Sequence, residues 1–168
     1  MSAITVTDQG TQISFTIDDV TRYHGPGFPG GVAHAFKVLE RALPRLGEPG
    51  SVERRDIVVA TAHTGPGVRD TFEMVTRAVT ENRFTVDSAL ERNDRGATLE
   101  RYVFELSCGD RKVRLEIREG FVTDEFIALA RQAERTAEEE ARLTYLKQEM
   151  ADRLLAAPAE AVYDVVDG

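Results

Sequence analysis

Cysteine is almost missing from this 168-residue chain and histidine is scarce, with Cys108 as the one thiol and His24, His34 and His63 as the three imidazoles. A single thiol excludes an internal disulfide and any zinc site built on several cysteines, and it fits a reducing cytoplasm. No apolar run approaches the roughly 20 residues that cross a bilayer. The opening MSAITVTDQG has no basic segment leading into an apolar one, so no signal peptide is expected. Excess positive charge is also missing: 21 Lys and Arg face 29 Asp and Glu, for a net charge of −8. Nonspecific attraction to nucleic acid or to an anionic membrane is thereby excluded. There is no low-complexity linker and no second domain, so one domain over 1–168 is expected, long enough for a real core. These absences point to a cytoplasmic protein with neither nucleic acid nor membrane as partner.

What is present reads as an α+β layer. AITV and TQISFTI, around the turn residues DQG, give an N-terminal extension or hairpin over 1–16. DDVTRYHG reads as a short helical turn capped by Asp18. From Gly31 the spacing of Val32, Ala35, Phe36, Leu39 and Leu43 predicts a helix that ends near Pro44 and GEPG. RRDIVVATAH reads as a buried central strand. Val68, Phe72, Val75 and Val79 predict a helix after it. FTVDSAL predicts a strand, and ERNDRG a charged turn. TLERYVFELSC and KVRLEIR predict a hairpin through GDR, with Tyr102, Phe104 and Leu106 on the same side as Val113, Leu115 and Ile117. TDEFIALARQAE predicts a helix capped at Thr123 or Asp124. A long C-terminal helix follows over 136–157, with a Thr136–Glu139 capping box and the stripe Leu143, Leu146, Met150, Leu154. Pro158 stops it, and YDVVDG reads as a loose tail. Together these elements predict a mixed β-sheet covered by helices.

Two of the three histidines stand just before a Gly-Pro-Gly, in RYHGPGFPGG and in TAHTGPGVRD, each time at the mouth of a predicted helix. The repeated device suggests two loops that meet at one site. Tyr23, His24, Gly25, Gly27, Phe28 and Gly30 would come from the first, and His63, Thr64, Gly65, Gly67 and Arg69 from the second.

HGPGFPGG resembles the signature His-Gly-His-x-Cys-Pro-Gly of the FmdE-like family of formylmethanofuran dehydrogenase proteins. His24, Gly25, Pro29 and Gly30 match it, whereas Pro26 stands at its second His and Phe28 at its Cys. Thr64 and Gly65 match a later Thr-Gly-Cys segment, with Pro66 in place of the Cys. The resemblance covers roughly 17–130. It implies an FmdE-like α+β fold with a long helix after the first motif, a homodimer, and a metal at the first loop. Two of that loop's three ligand positions are replaced here, and nothing after Cys108 supplies the thiolates of the zinc module that some members carry.

Three functions follow. In the first, the loops hold a small anionic ligand. Helix-start N–H groups and Arg69 bind its charge, Phe28 is an apolar wall, and His63, with His24 and Tyr23, supplies acid/base chemistry. Asp70 would then orient His63. In the second, His24 and His63, joined by His34, hold zinc or another divalent metal, or one imidazole ligates haem. In the third the protein is a noncatalytic accessory subunit of an oxidoreductase, and the loops are structural. The plainer reading of each residue stands beside these: His34 packs on its helix, the Gly-Pro-Gly segments are tight helix entries, Asp70 and Glu73 complement a helix dipole, and Glu138–Glu140 decorate a helix start. Neither loop is a Walker loop or a dinucleotide fingerprint.

Overall fold

A computed structural model describes residues 2–166 and shows an α+β domain of two sheets and six helices. The N-terminal segment is a hairpin, β1 (Ala3–Asp8) paired in antiparallel register with β2 (Thr11–Thr16). Gln9 and Gly10 both take positive φ in its two-residue turn, the twist that a tight hairpin needs. Ile4 and Val6 on β1 and Phe15 on β2 turn into the core, so the hairpin is part of the domain.

Helix α1 (Ile17–His24) starts at Thr16, two residues before the Asp18 cap expected. The Thr16 hydroxyl accepts from the Asp19 N–H, and the Asp19 carboxylate accepts from the Thr16 N–H. A Thr paired with an acid three residues on satisfies two orphan donors, which Asp18 has no partner to do. Helix α2 (Pro29–Leu46) is the centre of the domain. Ala33, Ala35, Val38, Leu39 and Ala42 are fully enclosed, because α2 has the larger sheet on one side and two later helices on another.

That larger sheet is mixed, in the order β4-β3-β5-β6-β7. β3 (Ile57–Thr61) runs parallel to β4 (Phe84–Val86) and antiparallel to β5 (Val103–Cys108). β3 is interior to the sheet but not buried on both faces: Ile57 and Val59 face the helices, while Val58 is 45% exposed on the uncovered face. The β5–β6 hairpin is as expected, with β6 at Arg111–Ile117 and the pairs Phe104–Leu115 and Leu106–Val113 on the covered face.

Helix α3 (Pro66–Thr76) stops short of Val79, since Arg77 adopts a left-handed conformation and its N–H bonds back to the Glu73 carbonyl. The expected FTVDSAL strand is only three residues long. Beyond it the Asp87 carboxylate accepts from the Ala89 N–H and starts a 3-10 turn over Ser88–Leu90. Thr123 caps α4 (Asp124–Arg131), and the Thr136–Glu139 capping box opens α5 (Ala137–Ala156). Leu143, Leu146, Met150 and Leu154 of α5 are buried, as their spacing predicts.

The C-terminal segment departs most from expectation. After the single turn α6 (Ala159–Val162), Tyr163–Val166 form β7 on the free edge of β6. Tyr163 is fully buried, with its ring edge-on to Phe104 at 5.7 Å. A short apolar strand that closes a sheet edge and fills the core carries no signal of its own in a six-residue stretch. The last two residues of YDVVDG lie outside the described residues. Among the described residues no helix is long and apolar enough to cross a membrane.

Candidate functional site

Helices α2 and α3 begin alike, with proline at the first position and glycine at the second, and their N-termini touch. A Cβ on Gly67 would lie 2.6 Å from the Phe28 carbonyl oxygen, and one on Gly31 3.1 Å from the Val68 nitrogen. Glycine is needed at 67 for space alone, because only a bare Cα lets one backbone approach the other this closely, and at 31 a side chain would be tighter than ordinary contact. Proline fixes each entry angle and sacrifices no N–H that a helix bond would use. The N–H groups of Gly30, Gly31, Gly67 and Val68 are thereby first-turn donors without intrahelical acceptors.

A cavity of about 60 Å³ sits at this junction, walled by Phe28, His34, His63, Tyr102, Phe126 and Met150 besides the glycines, with Lys147 of α5 at its rim. Four larger clefts, of about 290, 380, 470 and 500 Å³, contain no imidazole, and the two that reach a helix N-terminus, those of α4 and α5, meet first-turn acids there.

The electrostatics of the junction are one-sided. Helices α1, α4 and α5 each start with a threonine cap and acidic residues in the first turn, which neutralise the positive end of the helix. Helices α2 and α3 have neither a side-chain cap nor an acid in the first turn. Each contributes about half a positive charge to the same spot. Lys147 adds a whole one: its Nζ stands 4.1 Å from the centre of the Phe28 ring and donates to the Gly27 carbonyl at 3.3 Å.

The two imidazoles that line the cavity, His34 and His63, are held neutral near pH 7. His34 is fully buried, with Nδ1 2.8 Å from the Tyr163 hydroxyl and Nε2 3.4 Å from the Met150 sulfur. A hydroxyl that donates to Nδ1 leaves the proton on Nε2, facing the weak sulfur acceptor. Burial, reinforced by His63, drives its pKa well below the ordinary imidazole range. His63 accepts the Gly65 N–H on Nδ1 at 2.9 Å, which likewise places its proton on Nε2. His63 as a whole residue is half-buried, and Tyr102 at 4.9 Å and Phe104 at 6.4 Å wall its ring. Burial, with the Arg101 charge adding to it, pushes His63 down to about 4. An imidazole so weak as a base is neutral near pH 7 and can donate a hydrogen bond from Nε2, and the base half of the general acid/base role expected of it is disfavoured.

These depressed values have a stability consequence. Above the unfolded value of 6.5 both rings are neutral in both states. Below it the unfolded chain protonates them and the folded chain does not, so stability is lost as the pH falls toward the folded values. Each ring adds up to about 1.4 kcal/mol per pH unit to that loss. Urea midpoints measured between pH 7 and pH 5 therefore fall steeply, and His34→Gln makes the slope shallower. An unchanged slope in that variant would show that His34 protonates freely in the fold.

Of the residues expected at the site, the structure brings Phe28, Gly30, His34, His63, Gly65 and Gly67 to one cavity. Gly25, Gly27 and Thr64 lie outside its wall, although the Gly27 carbonyl anchors Lys147. Tyr23 is 54% exposed on α1, away from the cavity. Arg69 is exposed and reaches toward its neighbour Asp70 at 3.5 Å. Asp70 does not orient His63; its carboxylate binds His24 Nδ1 at 2.8 Å instead, because it lies on the side of α3 that faces α1. The His24 side chain is only 6% exposed, and its Nε2 is buried with no partner among the described residues.

The three histidines consequently form no common metal site. His34 and His63 are neighbours at 6.5 Å between rings, His24 is committed to Asp70, and His34 uses both nitrogens. Among the described residues no group of three or more His, Cys, Asp or Glu is placed to hold a metal ion. A haem does not fit in about 60 Å³, when organic-ligand pockets run to about 300–1,000 Å³.

Lys147, Tyr102, Gly31, Phe126 and Met150 are the wall residues that spacing alone does not nominate. Lys147 has a signal: it sits one position past Leu146, on the shoulder of an otherwise apolar stripe. Comparison with known proteins finds no family model that matches this chain and no curated protein that matches it.

Proposed function

We propose that this chain binds a small anion, a carboxylate or similar group on a ligand of few heavy atoms, at the junction of α2 and α3. One observation carries the reading: the two helices whose N-termini meet at the cavity are those without first-turn acids, in a chain with a net charge of −8. Two uncapped dipole ends and an ammonium group at one cavity repel one another, and a bound anion relieves that repulsion. The cavity holds about four or five water-sized groups, which limits the ligand to the size of formate, acetate or a slightly longer acid. The His63 Nε2–H would donate to the ligand's oxygen, and Phe28 would cover it. This keeps the anion-pocket expectation and moves the side-chain cation from Arg69 to Lys147.

The resemblance to FmdE-like proteins belongs to this reading as the origin of the scaffold, with Phe28 and Pro66 supplying apolar wall and helix entry where the family has thiolates. A cytoplasmic location and a homodimer complete it; the single free Cys108 supports the former.

Acetate titrated into ¹⁵N-labelled protein tests the proposal. Saturable shifts are expected at the Gly30, Gly31, Gly67 and Val68 amides, and native mass spectrometry of the same sample reports the subunit number. Lys147→Met should weaken acetate by about 10- to 100-fold, the worth of one charge-assisted hydrogen bond, while Arg69→Ala leaves it unchanged. Equal effects of the two variants, or no saturation at the four amides, would sink the idea.

A further inference from the structure

The chain is sparing with lysine: of its 21 basic residues only Lys37, Lys112 and Lys147 are lysines. Lys37 is buried and paired with Glu40 at 3.1 Å, and Lys112 is paired with Glu105 at 3.6 Å. Lys147 alone has no carboxylate within ion-pair distance among the described residues. Its amine is held instead by an aromatic face and one carbonyl, at the rim of the cavity. The Gly27 carbonyl accepts from the amine in either protonation state, whereas the Phe28 face favours the ammonium. Arginine would serve a purely electrostatic role here at least as well and could not lose its proton, whereas lysine is the residue that becomes a nucleophile when desolvated.

Resting on the anion reading, we propose that Lys147 forms an imine with the carbonyl carbon of a small 2-oxo acid, of the glyoxylate or pyruvate class, whose carboxylate lies on the N-termini of α2 and α3. In a 2-oxo acid the carbonyl adjoins the carboxylate, so a ligand anchored at the helix ends presents its electrophilic carbon toward the rim. The size of the cavity admits a chain of this length. Burial and the charge of Arg135 lower the pKa of Lys147 against an opposing pull from Glu140, and the two positive helix ends act with the first two, which raises the share of free amine near neutral pH. The free Nζ adds to the carbonyl carbon, a C–N bond forms, and a proton passes from nitrogen to oxygen to give the carbinolamine. Solvent at the rim protonates the hydroxyl, which leaves as one water, and the nitrogen lone pair closes the C=N⁺ bond. No oxidant or reductant is consumed. The adjacent carboxylate offsets the fixed positive charge that results.

The test is to incubate the full chain with glyoxylate and cyanoborohydride, then follow intact mass and map the labelled peptides over time. The expected result is one secondary-amine adduct, the acid less water plus two hydrogens, at Lys147, formed about tenfold faster than at Lys112. Acetate should slow it, and Lys147→Arg should abolish it while acetate still shifts the cavity amides. Labelling of Lys112 or the amino terminus ahead of Lys147 would overturn the proposal. Acetate binding without a Lys147 adduct would overturn the imine and leave the anion reading standing. Loss of both would remove the site as a whole.

Discussion

Gly67→Ala is expected to abolish acetate binding and to lower stability by about 1–3 kcal/mol, although it adds a single methyl group. The added carbon would sit 2.6 Å from the Phe28 carbonyl oxygen, 3.0 Å from the Val32 nitrogen and 3.2 Å from the Phe28 Cβ. Two of those neighbours are backbone atoms at the start of α2, so no rotamer change relieves the clash. Helices α2 and α3 must part at their N-termini, which is where the anion would be held, and a shift of a few tenths of an ångström undoes the convergence of their donors. Gly27→Ala is the control, since a Cβ there meets nothing within 4 Å. Urea denaturation and the acetate titration, run on both variants, should show loss in the first and wild-type behaviour in the second. Wild-type affinity in Gly67→Ala would mean that the helix junction is not the binding site.

Tyr163→Ala has the larger expected effect on the fold, about 3–5 kcal/mol, which is most of the margin of a marginally stable domain. The residue lies close to the end of the chain, yet it is fully buried, stacks edge-on to Phe104 and holds His34 Nδ1 at 2.8 Å. Its removal opens a cavity beneath β6 and frees β7 from the sheet edge. Tyr163→Phe separates the two contributions: packing is kept, but a buried imidazole nitrogen loses its donor, at about 1–3 kcal/mol. Denaturant midpoints of the two variants check the ordering. A Tyr163→Ala protein as stable as wild type would show that the C-terminal strand is dispensable and that its packing contributes little.

Both experiments concern contacts between residues far apart in sequence, and the limit of sequence reading lies there. Periodicity predicts α2, α3 and α5, because a helix buries one face at a spacing set by its own geometry. The capping box at Thr136 is legible for the same reason, being complete within four residues. The equivalent box at Thr16 is masked by Asp18, because two acidic residues in succession make either one a plausible cap. The run of β-branched residues in β3 suggests more burial than there is: it does not say whether the sheet is covered on both faces, and here it is covered on one. The pairing of Asp70 with His24 rather than with His63 is illegible, since local spacing brings Asp70 near His63 and only the packing of α1 on α3 turns it away. Val165 and its neighbours look like a loose end because four residues have no periodicity to read, and only the vacant edge of β6 makes them a strand.

The order of amino acids is enough to establish that the chain forms an α+β layer, that no internal disulfide is available, and that two histidine-bearing Gly-Pro-Gly loops open two helices. Each follows from composition or from spacing within one element, where covalent geometry does the arranging. Tertiary packing was needed to establish that those helix starts touch through Gly31 and Gly67, that Lys147 rather than Arg69 stands over the cavity, and that His34, His63 and His24 divide among separate partners. Those are choices among contacts of comparable local energy. Close packing of the whole chain selects between them, because the contacts that fill the core around α2 must be satisfied together, and a local preference that leaves a void or an unpaired group at the centre loses.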